Sequence, residues 1–286
     1  MNQNPNTIPV EFINKSDDYE SSSSGIDPFN PSWAKSGLYE SILNDNDQGK
    51  KKFESLVLNP NEVIEKKFLG KGGFGSVCQA IWKKKNKVVA MKRISYQKIR
   101  KLRIIQEAYI MKKIRKIAKK HQDVRFIKFY GTLKDPNRKE ILLMMECGDL
   151  SVDQEMKKHI YSKNELKDFA FSLTNQLYFL QKYRISHGDV KPKNVIRISK
   201  KDDPNKNDYL LIDFGLSRRN PKNSDYIRTS IFGFSKDYWA PEIEDFYNSI
   251  KNKIKKEDSK IYYSPFRADV FSLGIMLGRM MSKEIG

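Results

Sequence analysis

The alternation of apolar and polar positions divides the chain into three parts. Residues 1–58 are rich in Asn, Ser, Asp and Gly and show little periodicity, so they can bury too little apolar area to offset the entropy lost on ordering. Residues 59–147 show short strand-like runs separated by turn residues, and residues 148–286 show mainly helical spacing. The pattern therefore predicts a disordered tail followed by an α+β fold with two lobes.

The same spacing places the individual elements. The strand-like runs read VIEKKFLG, SVCQAIW, KVVAMKRI, FIKFYGTL and EILLMME. A helix is predicted between Gln97 and Lys120, where the apolar positions with helical spacing are Ile104, Ala108, Met111, Ile114 and Ala118. Further helices are predicted over NELKDFAFSLTNQLYFLQKY and within VFSLGIMLGRMM.

Composition excludes several classes of protein. The two cysteines, Cys78 and Cys147, are too few for a disulfide framework or a cysteine-based metal cluster, and reduced thiols indicate an intracellular location, cytoplasm or nucleus. The polar start MNQNPNTIPV lacks the features of a signal peptide. The longest apolar runs have about half a dozen residues, whereas a bilayer span takes about 20, so no membrane span is predicted.

The net charge of +19 is unevenly distributed along the chain. Residues 1–50 carry eight acidic and three basic side chains, and the remainder carries 51 basic and 27 acidic ones. A charge of this size attracts an anionic partner, and a nucleotide, an acidic protein, an anionic lipid or a nucleic acid would each fit.

Many of the basic residues surround the first predicted helix. They are Lys98, Arg100, Lys101, Arg103, Lys112, Lys113, Arg115, Lys116, Lys119 and Lys120. A solvated helix face explains this run, and so does a docking surface for an acidic partner, a lipid headgroup or a nucleic acid. No zinc finger or RNA-binding signature supports the nucleic acid.

Three glycines, Gly70, Gly72 and Gly75, form the pattern G-x-G-x-x-G. In dinucleotide-binding proteins this pattern leads into a helix and an acidic residue follows about 20 positions later. Here it leads into a strand, a basic turn and Lys92. A glycine-rich hairpin can expose backbone N–H groups to phosphates, and Lys92 is placed to meet phosphate oxygens. A plain tight β-turn is the alternative interpretation.

Glu107 lies on or beside the apolar face of the first predicted helix, between Ile104 and Met111. A carboxylate at such a place needs a cation, and Lys92 is the natural partner. Alternatively, Glu107 only flanks the apolar stripe and reaches solvent.

The segment SHGDVKPKNVI brings together Asp189, Lys191 and Asn194, and LIDFG follows with Asp213 after an apolar strand. Phosphoryl transfer needs these groups: a carboxylate to orient a hydroxyl and accept its proton, an ammonium to offset charge, and hard oxygen ligands for Mg²⁺. Each fragment by itself would also fit an ordinary turn.

Taken together, the motifs resemble the signature of eukaryotic protein kinases of the serine/threonine type. In order they are GKGGFGSV, VAMK, Glu107, MECG, HGDVKPKN, DFG, APE and DVFSLG. The resemblance implies a kinase domain over residues 59–286, with a β-rich N-lobe (59–147), a helical C-lobe (148–286), and ATP and Mg²⁺ bound between them.

The resemblance also implies roles for single residues. Asp189 would be the catalytic base with Lys191 beside it, and Asn194 and Asp213 would bind the metal. The nucleotide would be bound by Leu69, Gly70, Gly72, Gly75, Val77, Ala90, Lys92, Glu107, Glu146, Cys147, Gly148 and Ile196, with Met145 as gatekeeper. Met111, Phe129, His187 and Phe214 would form a stacked spine anchored by Asp269.

Lys191 and Ser235 match serine/threonine kinases, so the resemblance implies transfer from ATP to serine or threonine of protein substrates. The segment MMECGDL is also similar to monopolar spindle kinases, some of which accept tyrosine. A catalytically inactive scaffold or binding protein built on a kinase fold is the alternative function.

Two departures from the family pattern carry expectations. Gly188 replaces the arginine that would hold a phosphorylated activation loop, so we expect activity not to depend strongly on phosphates on Ser224, Thr229 and Ser230 of that loop. The family normally continues through several more helices beyond the position of Gly286. An incomplete C-lobe is therefore expected, with apolar area exposed and a buried Glu242 left without its arginine.

Overall fold

The computed structural model describes residues 60–72, 75–95, 101–135, 137–200, 203, 206–229, 235–252 and 260–282. The predicted tail, residues 1–58, lies outside this part of the chain.

Twelve strands and five helices follow one another in the described residues. The strands are β1 Val63–Gly72, β2 Gly75–Trp82, β3 Lys87–Ser95, β4 Phe129–Asp135, β5 Glu140–Glu146, β6 Leu150–Ser151, β7 Ile185–Ser186, β8 Val195–Ser199, β9 Asn207–Leu211, β10 Arg218–Arg219, β11 Ile227–Thr229 and β12 Ile261–Tyr263. The helices are α1 Lys101–Lys120, α2 Val152–Glu155, α3 Lys163–Lys182, α4 Pro241–Lys251 and α5 Pro265–Met281. A β-rich first part and a mainly helical second part confirm the predicted α+β, two-lobed fold.

The first five strands form an antiparallel sheet in the order β1-β2-β3-β5-β4. Both faces of β3 are buried: Val89 and Met91 pack into one cluster with strands β2, β4 and β5, and Ala90 and Ile94 pack into another with helix α1. Because side chains alternate along a strand, Lys92 points to the same face as Ala90 and Ile94. The strand period therefore aims this lysine toward helix α1.

Helix α1 buries the face that the helical period predicts, including Ile104, Ala108, Met111 and Ile114. These side chains belong to a single core cluster that continues from the sheet into helices α3 and α5. The N-lobe and the C-lobe thus share one apolar core, and burial of this core fixes how helix α1 lies against both.

The second part is organised around helix α3. A capping box starts this helix, since the Ser162 side chain accepts a hydrogen bond from Glu165 N and the Glu165 carboxylate accepts one from Ser162 N. Helix α3 packs on strand β9 and helix α5. Strand β9 is the edge of the three-stranded sheet β6-β8-β9. The chain after strand β9 takes part in two short antiparallel pairs, in which strand β10 pairs with β7 and strand β11 pairs with β12.

Three sequence-based expectations differ from the structure. Strand β4 begins at Phe129 rather than at Phe126, because Phe129 pairs with Met145 near the end of the partner strand β5. Phe126 lies in the loop before strand β4, and its side chain is buried. Helix α5 begins earlier than predicted, at Pro265, because Ser264 caps it. The expectation of a buried Glu242 was wrong: its side chain is exposed in the first turn of helix α4, where a carboxylate is favourable.

Apolar side chains are exposed on neighbouring helices of the second part. Phe171 and Tyr178 of helix α3 and Val270 and Phe271 of helix α5 remain accessible. None of the helices in the described ranges combines the length and the apolar character that crossing a membrane requires.

A buried amide satisfies the free edge of strand β9, which leads to Asp213. Gln176 of helix α3 donates from Nε2 to Tyr209 O at 2.7 Å and accepts from Leu211 N at 3.0 Å. A buried strand edge without partners is unfavourable, so this side chain replaces a missing neighbouring strand.

We expect Gln176→Leu to lower the free energy of unfolding by about 1–3 kcal/mol, because it removes the partner of the buried Leu211 N–H and one of the two hydrogen bonds to Tyr209 O, the other coming from Ser172 Oγ. Gln181→Leu, at an exposed position of the same helix, is the control and should change stability by less than about 0.5 kcal/mol. Urea titrations of both variants measure the difference. Equal stabilities would contradict the role assigned to Gln176.

Candidate active site

Lys92 is the centre of a buried ionic cluster. Its Nζ lies 2.8 Å and 2.9 Å from the two carboxylate oxygens of Glu107 on helix α1, and 2.7 Å from Oδ1 of Asp213. Glu107 therefore pairs with Lys92 rather than reaching solvent. The three residues come from the sheet, from helix α1 and from the segment after strand β9, so the cluster forms only when all three meet.

The charges of this cluster support one another. Burial alone would lower the pKa of Lys92, but Glu107 and Asp213 outweigh it and hold that pKa well above its ordinary value. Burial raises the pKa of the Glu107 carboxyl, and the charge of Lys92 counters that effect. For Asp213, burial is again opposed by Lys92, and the balance leaves its pKa below the ordinary value. Two carboxylates against one ammonium leave an excess negative charge, which attracts a cation.

Asp213 is presented by a strained turn. Its backbone has φ of 62°, a left-handed value that non-glycine residues rarely adopt, and its carboxylate accepts a hydrogen bond from Gly215 N at 3.3 Å. The side chain remains 29% exposed, whereas Glu107 keeps only 4%. Of the two acidic partners of Lys92, Asp213 is thus the one open to the cleft.

A second polar group forms around Asp189. Lys191 Nζ lies 2.6 Å from Asp189 Oδ2 and donates to Ser235 Oγ at 2.7 Å, and Ser235 Oγ donates to Asp189 Oδ1 at 3.0 Å. Asn194 donates from Nδ2 to the backbone O and to Oδ2 of Asp189, at 2.8 Å and 2.9 Å. The structure therefore brings together Asp189, Lys191, Asn194 and Ser235, although Ser235 lies 46 residues from Asp189.

Asn194 and Asp213 have the chemistry of magnesium ligands. Both amide hydrogens of Asn194 face Asp189, so its carbonyl oxygen is the atom left for other partners. A carboxylate and an amide oxygen are hard ligands of the kind Mg²⁺ prefers. The donor set therefore fits the expected metal.

The glycine pattern lies in the hairpin of β1 and β2. Gly72 faces Gly75, and Gly70 faces Val77. Gly75 has φ of 148°, and a Cβ there would lie 2.0 Å from Arg93 O, so no other residue fits without a shift of the backbone. A Cβ on Gly70 would meet nothing within 4 Å, so space beside this residue is open.

The remaining predicted nucleotide residues differ in exposure. Ala90 and Met145 are buried, Val77 and Ile196 are half-buried, and Leu69 is exposed. Ala90 pairs with Met145 across strands β3 and β5. Val77 and Ile196 pack against the core cluster that contains both. These four side chains therefore belong to or border one core cluster, here called the apolar wall, and Leu69 lies on strand β1.

The segment Glu146, Cys147 and Gly148 links the two lobes. The Glu146 carboxylate accepts from Arg125 Nη2 at 2.9 Å and from Lys128 N at 3.3 Å. Gln79 donates to the Cys147 sulfur at 3.8 Å, and burial raises the pKa of the Cys147 thiol. The side chains of this segment are thus held by the N-lobe.

Comparison with known proteins identifies the family. The family model described as "Protein kinase domain" matches residues 63–285. The chain belongs to the protein kinase family.

Curated relatives agree with this assignment. The chain is 27% identical over 241 residues to calcium-dependent protein kinase 5 of Plasmodium berghei (strain Anka), covering 84% of the chain and 36% of the relative. It is 29% identical over 199 residues to mitogen-activated protein kinase 7 of Arabidopsis thaliana, covering 67% and 50%. It is 28% identical over 240 residues to the serine/threonine-protein kinase STE7 homolog of Candida albicans (strain SC5314), which covers 80% of the chain and 35% of the relative. The chain spans between a third and a half of the length of these relatives.

The expected spine of this kinase fold lies in the core. Met111, Phe129, His187 and Phe214 are all buried, and the rings of His187 and Phe214 lie 4.9 Å apart. Asp269 of helix α5 accepts hydrogen bonds from His187 N and Gly188 N, at 2.7 Å and 2.8 Å. Burial raises the pKa of Asp269 to about 7, although these two bonds oppose the shift.

Several residues that join the segments around the site have no signal in the sequence. Gln106 donates to Ser217 O at 2.7 Å, and Ser217 Oγ donates to His187 O at 2.8 Å, which ties helix α1 to the segment after Asp213. Arg125 pairs with Glu146 and also with Asp208 of strand β9. Their partners are distant in sequence, so no local pattern signals these contacts.

His187 is held as a neutral imidazole. Its Nε2 lies 3.0 Å from Ile212 O, and Asp189 N donates to its Nδ1 at 3.2 Å, so one nitrogen donates and the other accepts. A proton on Nδ1 would face another N–H. Burial likewise lowers the pKa of His187 in the folded protein.

We therefore expect stability to fall on acidification through His187. Below about pH 6.5 the imidazole binds a proton in the unfolded chain but stays neutral in the folded protein, which favours the unfolded chain. Between about pH 7.5 and 5.5 the free energy of unfolding should therefore fall by about 1 kcal/mol more in wild type than in His187→Phe. Urea titrations at both pH values measure this difference. Parallel losses in the two proteins would contradict a neutral His187.

Proposed function

We propose that this chain transfers the γ-phosphate of ATP to serine or threonine hydroxyls of protein substrates, with Mg²⁺ as cofactor. The observation that carries the proposal is the joint geometry of two groups: Lys92 with Glu107 and Asp213, and Asp189 with Lys191 and Ser235. Burying the first set of charges costs free energy even though they pair, and clusters of this kind are concentrated at functional sites.

The nucleotide would lie between the glycine hairpin and the apolar wall. Open space beside Gly70 gives room for phosphates next to backbone N–H groups. Val77, Ala90 and Ile196 would contact the adenine, and Leu69 would cover it. The backbone of Glu146 to Gly148 would hydrogen-bond its polar edge.

Lys92 would bind the phosphates. Glu107 holds the ammonium from behind with two hydrogen bonds, so its position does not depend on the ligand. Asn194 and Asp213 would hold Mg²⁺, which when bound neutralises charge on the transferred phosphoryl group. The excess negative charge of the cluster favours such a cation.

Asp189 would orient the acceptor hydroxyl. The hydroxyl oxygen forms a bond to the γ-phosphorus, the bond from that phosphorus to the bridging oxygen breaks, ADP leaves, and the hydroxyl proton passes to Asp189. Lys191 offsets the charge on the moving group. Ser235 bridges Asp189 and Lys191, which supports a serine or threonine acceptor because this arrangement matches the serine/threonine kinase pattern.

Incubation of the full chain with radiolabelled ATP, Mg²⁺ and a protein substrate tests the proposal. We expect transfer by wild type, and a loss of about 100-fold or more in Asp189→Asn and in Asp213→Ala, since each removes a group that acts on the transferred phosphoryl or its acceptor. Asp168→Ala, at an exposed position of helix α3, is the control and should keep full activity.

Nucleotide binding by wild type without transfer would contradict the proposal and favour the alternative, a binding protein on a kinase fold. If Asp213→Ala were as active as wild type, the role assigned to Asp213 would be wrong, although the chain would still be a phosphoryl-transfer enzyme.

We also propose that the outer face of helix α1 docks an acidic protein partner. Lys116, Lys119 and Lys120 are exposed there, and burial together with the charges of Lys116 and Arg115 lowers the pKa of Lys112. Within the described residues, no carboxylate forms a salt bridge with Lys112, Lys116, Lys119 or Lys120. An anionic partner would relieve this mutual repulsion.

A fluorescent poly-glutamate peptide is a suitable probe for this surface. We expect binding that weakens steeply with salt and falls at least about ten-fold when Lys116, Lys119 and Lys120 are all changed to Glu. The same change at Lys83, Lys84 and Lys85, in the exposed turn between strands β2 and β3, is the matched control. Equal losses in the two triple variants would show a general charge effect and contradict the docking site.

A further inference from the structure

Arg184 binds the part of the loop after Asp213 that runs from Pro221 to Asp225. The guanidinium donates to the carboxylate of Asp225 and to the carbonyl oxygen of Ser224, and from Nε and Nη2 to the carbonyl oxygen of Pro221 at 2.9 Å and 2.5 Å. Its Cζ lies 5.0 Å from the ring centre of Phe266 on helix α5. One side chain thus binds three residues of the loop.

The position of Arg184 follows from the end of helix α3. Arg184 stands two residues after the helix with φ of 62°. It precedes strand β7, which pairs with strand β10 of the loop. Asn220 donates from its backbone N to Arg184 O at 2.7 Å and from its side chain to Ser186 Oγ at 3.1 Å. The backbone around Arg184 is therefore fixed to the loop before its side chain adds the anchor.

Gly188 cannot supply this anchor. Its φ is 81°, and a Cβ there would lie 2.9 Å from Leu216 O, so a larger residue would strain the backbone. The arginine that other family members would use at this position is absent, and the geometry disfavours one. A cation that holds the loop must come from another element.

We propose that the Arg184–Asp225 ion pair is the anchor of this loop, and that the Asp225 carboxylate takes the part that a phosphate would otherwise play. This inference rests on the proposed function. Arg184 is then a positioning residue: it acts through the loop and touches neither nucleotide nor acceptor. Because a carboxylate is permanently charged near neutral pH, the loop needs no modification to be held.

The anchor can influence the site through the chain that follows it. Two residues after Asp225, strand β11 begins and pairs with strand β12. Tyr226 stacks on Tyr262 with ring centres 5.1 Å apart. Ser235, which bridges Asp189 and Lys191, is the next described residue after this ladder. Loss of the anchor should therefore loosen the segment that sets Ser235.

Partial exposure predicts a local effect. The Asp225 side chain is 52% exposed and that of Arg184 is 22% exposed. An ion pair so close to solvent adds little to global stability, but a loop with few buried contacts opens at low cost, so one ion pair can shift its population.

The test uses the full chain with Asp225→Asn, Arg184→Gln and the double variant. Asp225→Asn keeps the size of the side chain while removing its charge, and Arg184→Gln removes the charge together with most of the guanidinium donors. Asp153→Asn, in the short helix α2, breaks an ion pair of 3.0 Å with Lys157, which follows that helix, and is the matched control. The first measurement is the rate of trypsin cleavage at Lys222 and Arg228, both exposed in the loop, followed by mass spectrometry.

We expect cleavage at these two sites to rise about five-fold in Asp225→Asn and at least as much in Arg184→Gln, which also removes the donors to Pro221 O and Ser224 O. The double variant should match Arg184→Gln, because the ion pair with Asp225 is already absent there. In the transfer assay kcat/KM for a casein substrate should fall about five-fold, while affinity for a nonhydrolysable ATP analogue changes less than about two-fold. If the ion pair had only a structural role, its loss would lower kcat/KM, the affinity for the ATP analogue and the unfolding temperature together. The control should match wild type in every measurement.

Phosphate dependence is a separate arm of the same experiment. Treating wild type with a phosphatase, or changing Ser224, Thr229 and Ser230 to Ala, should leave turnover within a few-fold. Ser230 lies outside the described residues. Near-complete loss of turnover after phosphatase treatment would overturn the proposal, because the loop would then depend on a phosphate.

Unchanged trypsin cleavage in Asp225→Asn would also overturn it, as would additive effects in the double variant. The cleavage measurement needs no enzyme activity. If wild type transfers no phosphate, the proposed function fails, whereas the cleavage rates still decide whether the ion pair holds the loop.

Discussion

The buried contact between Lys92 and two carboxylates is the constraint on which the rest of this structure depends. An ammonium and two carboxylates removed from water cost several kcal/mol each unless they meet with good geometry. Here all three distances are 2.7–2.9 Å. Since Glu107 belongs to helix α1 and Asp213 follows strand β9, the sheet, the helix and the second lobe must adopt one relative arrangement.

Buried polar side chains that form hydrogen bonds with the backbone of the second lobe stabilise this arrangement. Asp269 accepts from the N–H groups of His187 and Gly188, and Gln176 satisfies the edge of strand β9. His187 in turn contacts Ile212 O and the ring of Phe214. These bonds fix the backbone just before Asp189 and just before Asp213.

Arginines near the surface have a different role, since they connect segments rather than build the core. Arg125 joins Glu146, between the lobes, to Asp208 of the second lobe. Arg184 joins the end of helix α3 to the loop after Asp213. The planar guanidinium suits such positions because it donates to several acceptors in one plane. The core thus fixes the cluster around Lys92, and the arginines join the connecting segments around it.

The sequence by itself determined the types of the main elements, the order of the motifs and the grouping of Asp189 with Lys191 and Asn194, because periodicity and short spacings record which face a side chain occupies. It left open whether Glu107 meets Lys92 or solvent, and it gave no sign of Gln176, Arg125 or Arg184. Tertiary structure decided these contacts, which join residues 15 to 83 positions apart. A long polar side chain can reach many partners, and only the packed core decides which one it meets.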